Sequence, residues 1–265
     1  MPAADPDLEL ALRLADAADA ITFARFRAAD LRVTRKPDRT PVTDADTAAE
    51  EALRRLIAAE RPGDAVLGEE GGGTVPESGR GWVLDPIDGT KNFSRGMPAW
   101  GSLIALTVQG EPVVGVASAP ALGRRWWAAR GAGAWTSDAP DAPPRRIAVS
   151  GVTDLADAYL STTDIRMFAE VGRGAQYERL LGACWETRAF GDFWQHCLVA
   201  EGVLDLAVDA LANPWDLAAL QPILTEAGGA LSDLDGALTY TGGSGVTSNG
   251  AVHAAALEIL AKGNA

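Results

Sequence analysis

One short stretch of this chain constrains both its fold and its chemistry. An apolar segment at residues 82–84 runs directly into Asp85-Pro-Ile-Asp88-Gly-Thr90. The apolar segment predicts a buried strand, and the proline after Asp85 fixes its own φ and predicts a turn where the strand ends. The two carboxylates and the carbonyl oxygen of Ile87 can then converge on one small volume. Oxygen-only ligands suit a hard divalent cation, so the stretch predicts a metal site.

The residues after Asp88 suit a phosphate group. Gly89 has no side chain to obstruct a ligand, and a helix that begins near Thr90 offers free backbone N–H groups to a phosphate oxygen. Asp-Pro and Asp-Gly pairs are also common in ordinary turns, so neither pair alone distinguishes a site from a loop. Two carboxylates held together at the end of an apolar strand are harder to explain without a cation.

Three more acidic clusters accompany this stretch. Gly68-Glu-Glu-Gly-Gly-Gly73 follows another apolar strand, Pro41-Val-Thr-Asp-Ala-Asp46 precedes a helical pattern, and Asn213-Pro-Trp-Asp216 opens a helix. Each also has a purely structural interpretation, as a solvated turn, as a helix N-cap through Thr43 or Asp44, or as an acid near the positive end of a helix dipole. A cap explains only one of the two carboxylates in the second cluster.

The periodicity of apolar residues changes along the chain and predicts an α/β fold of layered helices and sheets. The helical spacings cover residues 8–26, 44–57, 165–181, 193–201, 214–227 and 251–261. The strand patterns cover 65–68, 82–84, 102–108, 113–117 and 125–129, which predict a mostly antiparallel sheet, and then 158–161, 204–208 and 229–232. The Pro- and Ala-rich segment Asp138–Pro144 is the predicted linker between an N-terminal half, 1–145, and a C-terminal half, 146–265.

Composition limits the classes of protein that this chain can represent. Its 265 residues are 47% hydrophobic, which suffices for a large core, and its formal net charge is −13. Nucleic-acid-binding proteins present clustered Lys and Arg, so we expect no nucleic-acid partner. A phosphorylated substrate would need bound cations to offset the acidic charge. Apolar runs fall short of the roughly 20 residues of a membrane span, so we expect no membrane partner.

The N-terminal residues and the cysteines predict a cytoplasmic location. The sequence starts with carboxylates where a secretory signal would carry lysines and an apolar block. Only two cysteines occur, Cys184 and Cys197, and such sparse usage suits a reducing compartment better than a disulfide framework. The only two histidines, His196 and His253, are interpreted as core or surface residues without a catalytic role.

In their order and spacing, the acidic motifs resemble the signature of the inositol monophosphatase-like family. The resemblance rests on Pro41–Asp46, Gly68–Glu70, Asp85–Thr90 and Trp215-Asp-Leu-Ala-Ala219, and it covers nearly the whole chain. It implies a layered αβαβα fold and a phosphomonoesterase that uses two or three Mg²⁺ ions per subunit. It also implies a small phosphorylated metabolite as substrate and a homodimer as the assembly.

The resemblance further implies roles for individual residues. The expected metal ligands are all oxygen donors: Glu69, Asp85, the carbonyl of Ile87, Asp88 and Asp216. The expected catalytic residues are Asp46, Glu69 and Thr90, of which Asp46 and Thr90 orient a water that a metal ion activates for direct attack on phosphorus. The expected substrate-binding residues are Asp88, Gly89, Thr90, Lys91, Arg188, Asp192, Asp209 and Asp216.

Within this family, three segments are more similar to histidinol-phosphate phosphatases, enzymes of histidine biosynthesis, than to inositol enzymes. They are Asp88-Gly-Thr-Lys91-Asn-Phe, Arg188-Ala-Phe-Gly-Asp192 and Asn213-Pro-Trp-Asp216. Histidinol phosphate carries an ammonium and an imidazole, so Asp192 and Asp209 can pair with its cationic end while Lys91 or Arg188 meets phosphate oxygens. Lys91 as a solvated residue and Arg188 as a surface ion-pair partner are equally good interpretations.

Two other functions stay open on the sequence. An inositol monophosphatase or another small-metabolite phosphatase would use the same metal site with a different pocket, because members of a superfamily differ in the pocket rather than in the chemistry. A binding protein that kept the fold and lost catalysis is the second alternative. The presence of every expected metal ligand argues against it.

Overall fold

The computed structural model of the chain describes residues 5–37, 39–75, 77–139 and 142–261. The helices in these residues are α1 (Pro6–Arg25), α2 (Asp44–Glu60), α3 (Thr90–Ser94), α4 (Arg166–Glu170), α5 (Gly174–Ala183), α6 (Asp192–Ala200), α7 (Pro214–Leu217), α8 (Leu220–Glu226) and α9 (His253–Leu260). The strands are β1 (Val33–Arg35), β2 (Pro41–Thr43), β3 (Ala65–Gly68), β4 (Gly72–Gly73), β5 (Arg80–Asp88), β6 (Gly101–Val108), β7 (Glu111–Ala119), β8 (Arg124–Ala129), β9 (Ala134–Ser137), β10 (Arg145–Ile147), β11 (Tyr159–Thr162), β12 (Glu186–Arg188), β13 (Leu206–Asp209), β14 (Ala230–Ser232) and β15 (Gly245–Ser248).

Two sheets alternate with layers of helices. The larger sheet has the order β10-β9-β8-β7-β6-β5-β3-β4, and its strands are antiparallel except for the parallel pair β3 and β5. The smaller sheet has the order β12-β11-β13-β15-β14, with β12, β11 and β13 parallel. β1 and β2 form a separate hairpin. The mostly antiparallel sheet predicted for the N-terminal half is therefore confirmed.

Side-chain alternation along β5 explains why both faces of the large sheet are covered. Trp82 and Leu84 point to one face, where they pack with apolar residues of α1 and α2 such as Leu14 and Leu53. Val83 points to the opposite face, which packs against the apolar residues of α6 and α8. These same two helices also cover one face of the small sheet. They therefore form the central layer of the molecule.

The outer face of the small sheet is covered by α4, α5 and α9. Phe168 of α4 and Tyr177 of α5 stack with their ring centroids 3.9 Å apart and pack with Leu160 and Val208 of the sheet. The order of layers is thus α1/α2, large sheet, α6/α8, small sheet, α4/α5/α9. This arrangement confirms the layered αβαβα fold.

Two predicted helices are each divided in the structure. The helix predicted over 165–181 consists of α4 and α5, because Gly172 adopts a left-handed φ of 72° that ends α4. The helix predicted over 214–227 consists of α7 and α8, because Pro222 has no N–H to bond the carbonyl of Ala218 one turn earlier. The short strands β1, β2, β4, β9, β10, β12 and β15 were not predicted.

The division into halves at residues 145 and 146 stays a prediction. β10, which belongs to the large sheet, includes both residues. The predicted linker at 138–144 includes Pro140 and Asp141, which lie outside the described residues. Within the described part of the chain, no helix has both the length and the apolar character needed to cross a bilayer.

Candidate metal centre

A bulge at the end of β5 brings Asp85 and Asp88 to the same side of the sheet. Two residues three apart on a regular strand point to opposite faces. Here Asp85 pairs with Leu103 and Asp88 pairs with Gly101, so two residues of β5 oppose one residue of β6. The extra residue restores a common direction for the two carboxylates. The strand therefore continues through Asp88, and the turn predicted at Pro86 is wrong although the predicted convergence occurs.

Asp216 completes a group of three carboxylates. Asp85, Asp88 and Asp216 offer oxygens that all lie within 4.8 Å of one another. Asp216 lies in the first turn of α7, where its Oδ2 accepts a hydrogen bond from the Asn213 backbone N at 2.7 Å. Asp216 thus lies near the positive end of a helix, as its structural interpretation expected, and its position beside Asp85 and Asp88 shows that this is not its whole environment.

Burial and mutual repulsion oppose ionisation of this group. Burial, the charge of Glu69 and then the charges of Asp88 and Asp216 raise the pKa of Asp85 well above its usual range. Burial and the charges of Asp192 and Asp216 do the same for the pKa of Asp88. Burial raises the pKa of Asp216 to about 7. Like charges this close need a cation or protons to coexist.

Glu69 lies at the same edge because β3 runs parallel to β5. It follows β3 directly, and its backbone N donates to the Leu84 carbonyl at 3.1 Å. Its Oε1 lies 2.7 Å from the ammonium of Lys36, which also lies 2.8 Å from Oε1 of Glu70. Burial is the largest of the causes that raise the pKa of Glu70 to about 7. Sequence reasoning missed Lys36, and no local pattern could have found an ion pair across 33 residues.

Asp46 and Thr90 lie in contact beside the cluster. The Oδ2 of Asp46 accepts hydrogen bonds from the Thr43 backbone N at 2.8 Å and from Thr43 Oγ1 at 2.5 Å, so Asp46 belongs to a capping box at the start of α2. Its Oδ1 lies 3.3 Å from Thr90 Oγ1, which also lies 2.9 Å from the Ile87 carbonyl oxygen. Burial raises the pKa of Asp46 to about 6.

Both carboxylates of this segment thus have structural partners. Asp44 pairs with Arg25 at 2.9 Å, and Asp46 completes the capping box. Thr43 is the N-cap residue, one of the two that the sequence offered, and capping involves only one of the two carboxylates, as expected. Only Asp46 reaches the cluster, through its second oxygen and Thr90.

Gly89 lies between the cluster and Asp192. It has a left-handed φ of 82° and immediately precedes α3, as the sequence predicted. A Cβ at this position would lie 3.0 Å from the Ala99 carbonyl oxygen and 3.2 Å from Oδ2 of Asp192, so only glycine fits without displacing its neighbours. Asp192 Oδ2 also accepts a hydrogen bond from Asn92 Nδ2 at 3.0 Å. Burial raises the pKa of Asp192 to about 6.

Asp209 lies in a buried polar network at the end of β13. Its Oδ2 lies 2.9 Å from Nε2 of both Gln195 and His196, and its Oδ1 accepts from the Thr163 backbone N at 3.2 Å. Of the two positions expected for His196, core or surface, the structure shows the core, where His196 contacts a carboxylate that was predicted to bind substrate. His253, partly buried, contacts Ser232 and Ser248. Cys184 and Cys197 are both unpaired thiols.

Two predicted substrate residues are not held at the cluster. The guanidinium of Arg188 on β12 pairs with Glu186 at 2.7 Å, and its side chain is 57% exposed. Lys91 is exposed on α3, although its charge acts to lower the pKa of Asp192. The surface interpretation of Arg188 therefore fits the structure better than a contact within this subunit.

The chemistry of the donors fits a hard divalent cation. Asp85 and Asp88 are 1% and 8% exposed, and the hydrogen bonds given to their carboxylates come from the backbone N of Ile87 at 3.0 Å and of Phe193 at 2.5 Å. The ammonium of Lys36 is paired with the two glutamates. Carboxylate and carbonyl oxygens are the ligands that Mg²⁺ prefers, so these residues could hold such an ion.

The layered αβαβα fold and the carboxylate group at the end of β5 define the class of protein. It is an α/β protein with a site that offers only oxygen ligands to a metal ion. The Inositol monophosphatase family model matches residues 4–264. The chain is 52% identical to the histidinol-phosphatase of Mycobacterium tuberculosis, with 98% of each chain covered, and 48% identical to that of Streptomyces coelicolor, with 96% of each covered. The solved structure of an IMPase from Thermotoga maritima superposes with a TM-score of 0.84 at 28% identity and 97% coverage of both chains. The chain therefore belongs to the inositol monophosphatase family.

The raised pKa values predict that the metal-free protein loses stability as pH rises. The folded state binds more protons than the unfolded state between the unfolded pKa of about 4 and the folded pKa of about 7 for Asp216, so the free energy of unfolding falls across this window. In EDTA we expect the melting temperature to fall by about 5 °C or more from about pH 5 to about pH 8. Mg²⁺ should reduce this fall, and so should Asp216→Asn in EDTA. A flat profile in EDTA would contradict the close carboxylate packing.

Proposed function

We propose that the chain hydrolyses histidinol phosphate to histidinol and inorganic phosphate in a Mg²⁺-dependent reaction. The observation that carries the proposal is the similarity to two histidinol-phosphatases at 52% and 48% identity over nearly the whole chain. The carboxylate centre supplies the metal-type site that such a phosphatase needs. A further carboxylate, that of Asp192, lies beside Gly89, and this supports binding of a substrate with a cationic group.

Two or three Mg²⁺ ions are proposed to bind at the strand end. Glu69, Asp85 and the Ile87 carbonyl would hold one ion, and Asp85, Asp88 and Asp216 a second. A third ion would lie nearer Asp46. The chemistry that Mg²⁺ supplies when bound is activation of a water molecule and neutralisation of the charge that develops on the leaving oxygen.

Asp46 and Thr90 are proposed to orient the attacking water and to take its proton. Thr90 Oγ1 can accept the water proton while it donates its own toward Asp46 Oδ1, which lies 3.3 Å away. The pKa of Asp46 at about 6 allows this carboxylate to be ionised, and so to act as a base, at neutral pH. The capping box keeps its other oxygen fixed. A covalent enzyme intermediate is not needed for this route.

The backbone amides of Gly89 and Thr90 are proposed to bind the phosphate. The absence of a side chain at Gly89 leaves the amides accessible. Lys91, which follows directly on α3, can approach the phosphate from the exposed side. Asp88 and Asp216 would meet the phosphate through the ions they share.

Substrate preference is the first test of this proposal. We expect Mg²⁺-dependent phosphate release, with kcat/KM for histidinol phosphate at least about tenfold above that for inositol 1-phosphate, because one added charge-assisted contact is worth about that factor. Both esters should be assayed side by side with the same enzyme preparation. A clear preference for the inositol ester would instead favour an inositol monophosphatase. No metal-stimulated turnover on any ester would favour a binding protein.

The second test removes one proposed metal ligand without changing its volume. Asp88→Asn should lower kcat by about 100-fold or more, because loss of a direct ligand should exceed the roughly 10- to 100-fold cost of losing an outer partner. The Asn side chain can still accept the hydrogen bond from Phe193 N, so the fold should persist by circular dichroism. Asp30→Asn is the control, since Asp30 is an exposed aspartate paired with Arg25 on the surface. Full activity of Asp88→Asn would contradict the ligand assignment.

The proposed assembly is a homodimer in the cytoplasm. A row of aromatic side chains crosses the edge of the small sheet, with ring centroids 6.0 Å apart for Tyr159 and Trp185, 6.3 Å for Tyr159 and Phe190, and 5.6 Å for Phe190 and Trp194. Trp185 is 68% exposed, next to the edge strand β12. A second copy of this chain would cover this apolar row. The unpaired thiols suit a reducing cytoplasm, which cell fractionation can test.

Light scattering after size exclusion tests the dimer. The unaltered chain should elute as a dimer, and Trp185→Glu should shift it toward the monomer because a charge would be buried in the interface. Leu238→Glu is the matched control, because Leu238 is equally apolar and 76% exposed elsewhere. A monomeric parent chain, or equal effects of the two substitutions, would refute this surface.

A further inference from the structure

We infer that Asp192 is the carboxylate that contacts the cationic end of the substrate, and that Asp209 is a positioning residue that acts through it. The inference rests on the proposed function, because it concerns recognition of histidinol phosphate at the same site. It separates the roles of two residues that the sequence assigned together. The carboxylate of Asp209 already accepts hydrogen bonds from protein donors, and those donors are buried. Asp192 has a left-handed backbone, and its carboxylate lies beside Gly89.

The carboxylate of Asp209 is already occupied by protein donors. Its Oδ2 lies 2.9 Å from Nε2 of Gln195 and 2.9 Å from Nε2 of His196. Its Oδ1 accepts a hydrogen bond from the Thr163 backbone N at 3.2 Å. Three of the roughly four acceptor positions of a carboxylate are thus used inside the protein. Asp209 is only 8% exposed, so it has little capacity left for a ligand.

The donors around Asp209 are themselves fixed in the core. His196 Nδ1 lies 2.8 Å from Thr247 Oγ1 on β15, and Gln195 Oε1 accepts from Ser161 Oγ at 2.8 Å. Gln195 is fully buried and His196 is 2% exposed. Rotation of Asp209 toward a substrate would leave these buried donors unpaired, which costs more than a single hydrogen bond returns.

The same network holds Asp192 in an unfavourable backbone conformation. Asp192 has a φ of 48°, in the left-handed region that residues other than glycine rarely adopt. Its backbone N donates to Thr163 Oγ1 at 2.8 Å, and this hydroxyl also accepts from Gln195 Nε2 at 3.1 Å. Strained residues of this kind persist where the surroundings fix them, and they occur often at binding sites. Asp209 therefore determines where Asp192 lies, by way of Thr163 and Gln195.

The side chain of Asp192, by contrast, has an oxygen available for a ligand. Its Oδ2 is held by Asn92 Nδ2 at 3.0 Å, whereas its Oδ1 accepts no hydrogen bond from a described residue. It lies beside Gly89, in the loop proposed to bind phosphate. In histidinol phosphate the ammonium is on the carbon next to the one that bears the ester oxygen. An anion beside the phosphate loop is thus at the right place to meet that ammonium.

A double-mutant cycle on substrate selectivity tests this assignment. Asp192→Asn, Asp209→Asn and the double variant are compared with the parent on histidinol phosphate and on glycerol 2-phosphate, which has no cationic group. Selectivity is the ratio of the two kcat/KM values. Asn suits the Asp192 backbone because it tolerates positive φ.

We expect Asp192→Asn to lower the selectivity about 10- to 100-fold, mainly through a higher KM for histidinol phosphate. Asp209→Asn should lower the selectivity less, and the double variant should be no less selective than Asp192→Asn alone. Additive losses would mean that Asp209 contacts the substrate directly and would overturn the inference. An Asp192→Asn enzyme as selective as the parent would overturn it as well.

Three further variants keep the test decisive if Asp209→Asn does not fold. His196→Leu removes one donor to Asp209 and enters the same cycle, and His196→Gln, which keeps an amide donor, should retain more of the selectivity. Asp192→Gly relieves the positive φ and should show the same selective loss as Asp192→Asn. If the parent enzyme hydrolyses glycerol 2-phosphate but not histidinol phosphate, the proposed substrate is wrong, and that outcome is distinct from failure of the cycle.

Discussion

The close approach of three carboxylates at the end of β5 is the constraint on which the rest of the structure depends. Oxygens of Asp85, Asp88 and Asp216 within 4.8 Å of one another repel, and burial makes that repulsion stronger than it would be in water. A chain adopts such an arrangement only if packing elsewhere outweighs it. Here the repulsion occurs where the large sheet meets the central helices. The apolar core that can offset it is most extensive at this contact.

Each carboxylate lies on a structural element that local pairing or capping stabilises independently of a metal ion. The bulge in β5 aims Asp85 and Asp88 together, and the capping box of α7 fixes Asp216. The first turn of α6 gives the Phe193 amide to Asp88, and Phe193 itself is buried in the core between the two sheets. Because each support is structural, packing can keep the carboxylates close when protons rather than a cation neutralise them. This is the preorganisation that a metal-type site requires.

Much of the site could be predicted from sequence because its signals are local. The strand before Asp85, the helix after Gly89 and the cap at Thr43 all depend on residues within a few positions. What could not be predicted depends on pairing between distant segments. The bulge depends on the register of β5 against β6, and the partners of Lys36 and Asp209 come from other parts of the chain. His196 was expected to be either a core or a surface residue, and its sequence neighbourhood contains no sign of the Asp209 carboxylate that it contacts.

The two acidic groups at this edge of the sheet differ in how their charge is balanced. Glu69 and Glu70 share the ammonium of Lys36, a cation that the chain itself provides. Asp85, Asp88 and Asp216 have no such partner among the described residues, and their pKa values are raised accordingly. A protein with a net charge of −13 can therefore attract an anionic ester only where an external cation reverses the local sign. The carboxylates without a counter-charge from the chain are the ones best placed to recruit that cation, and the phosphate loop proposed at Gly89 follows directly after one of them, Asp88.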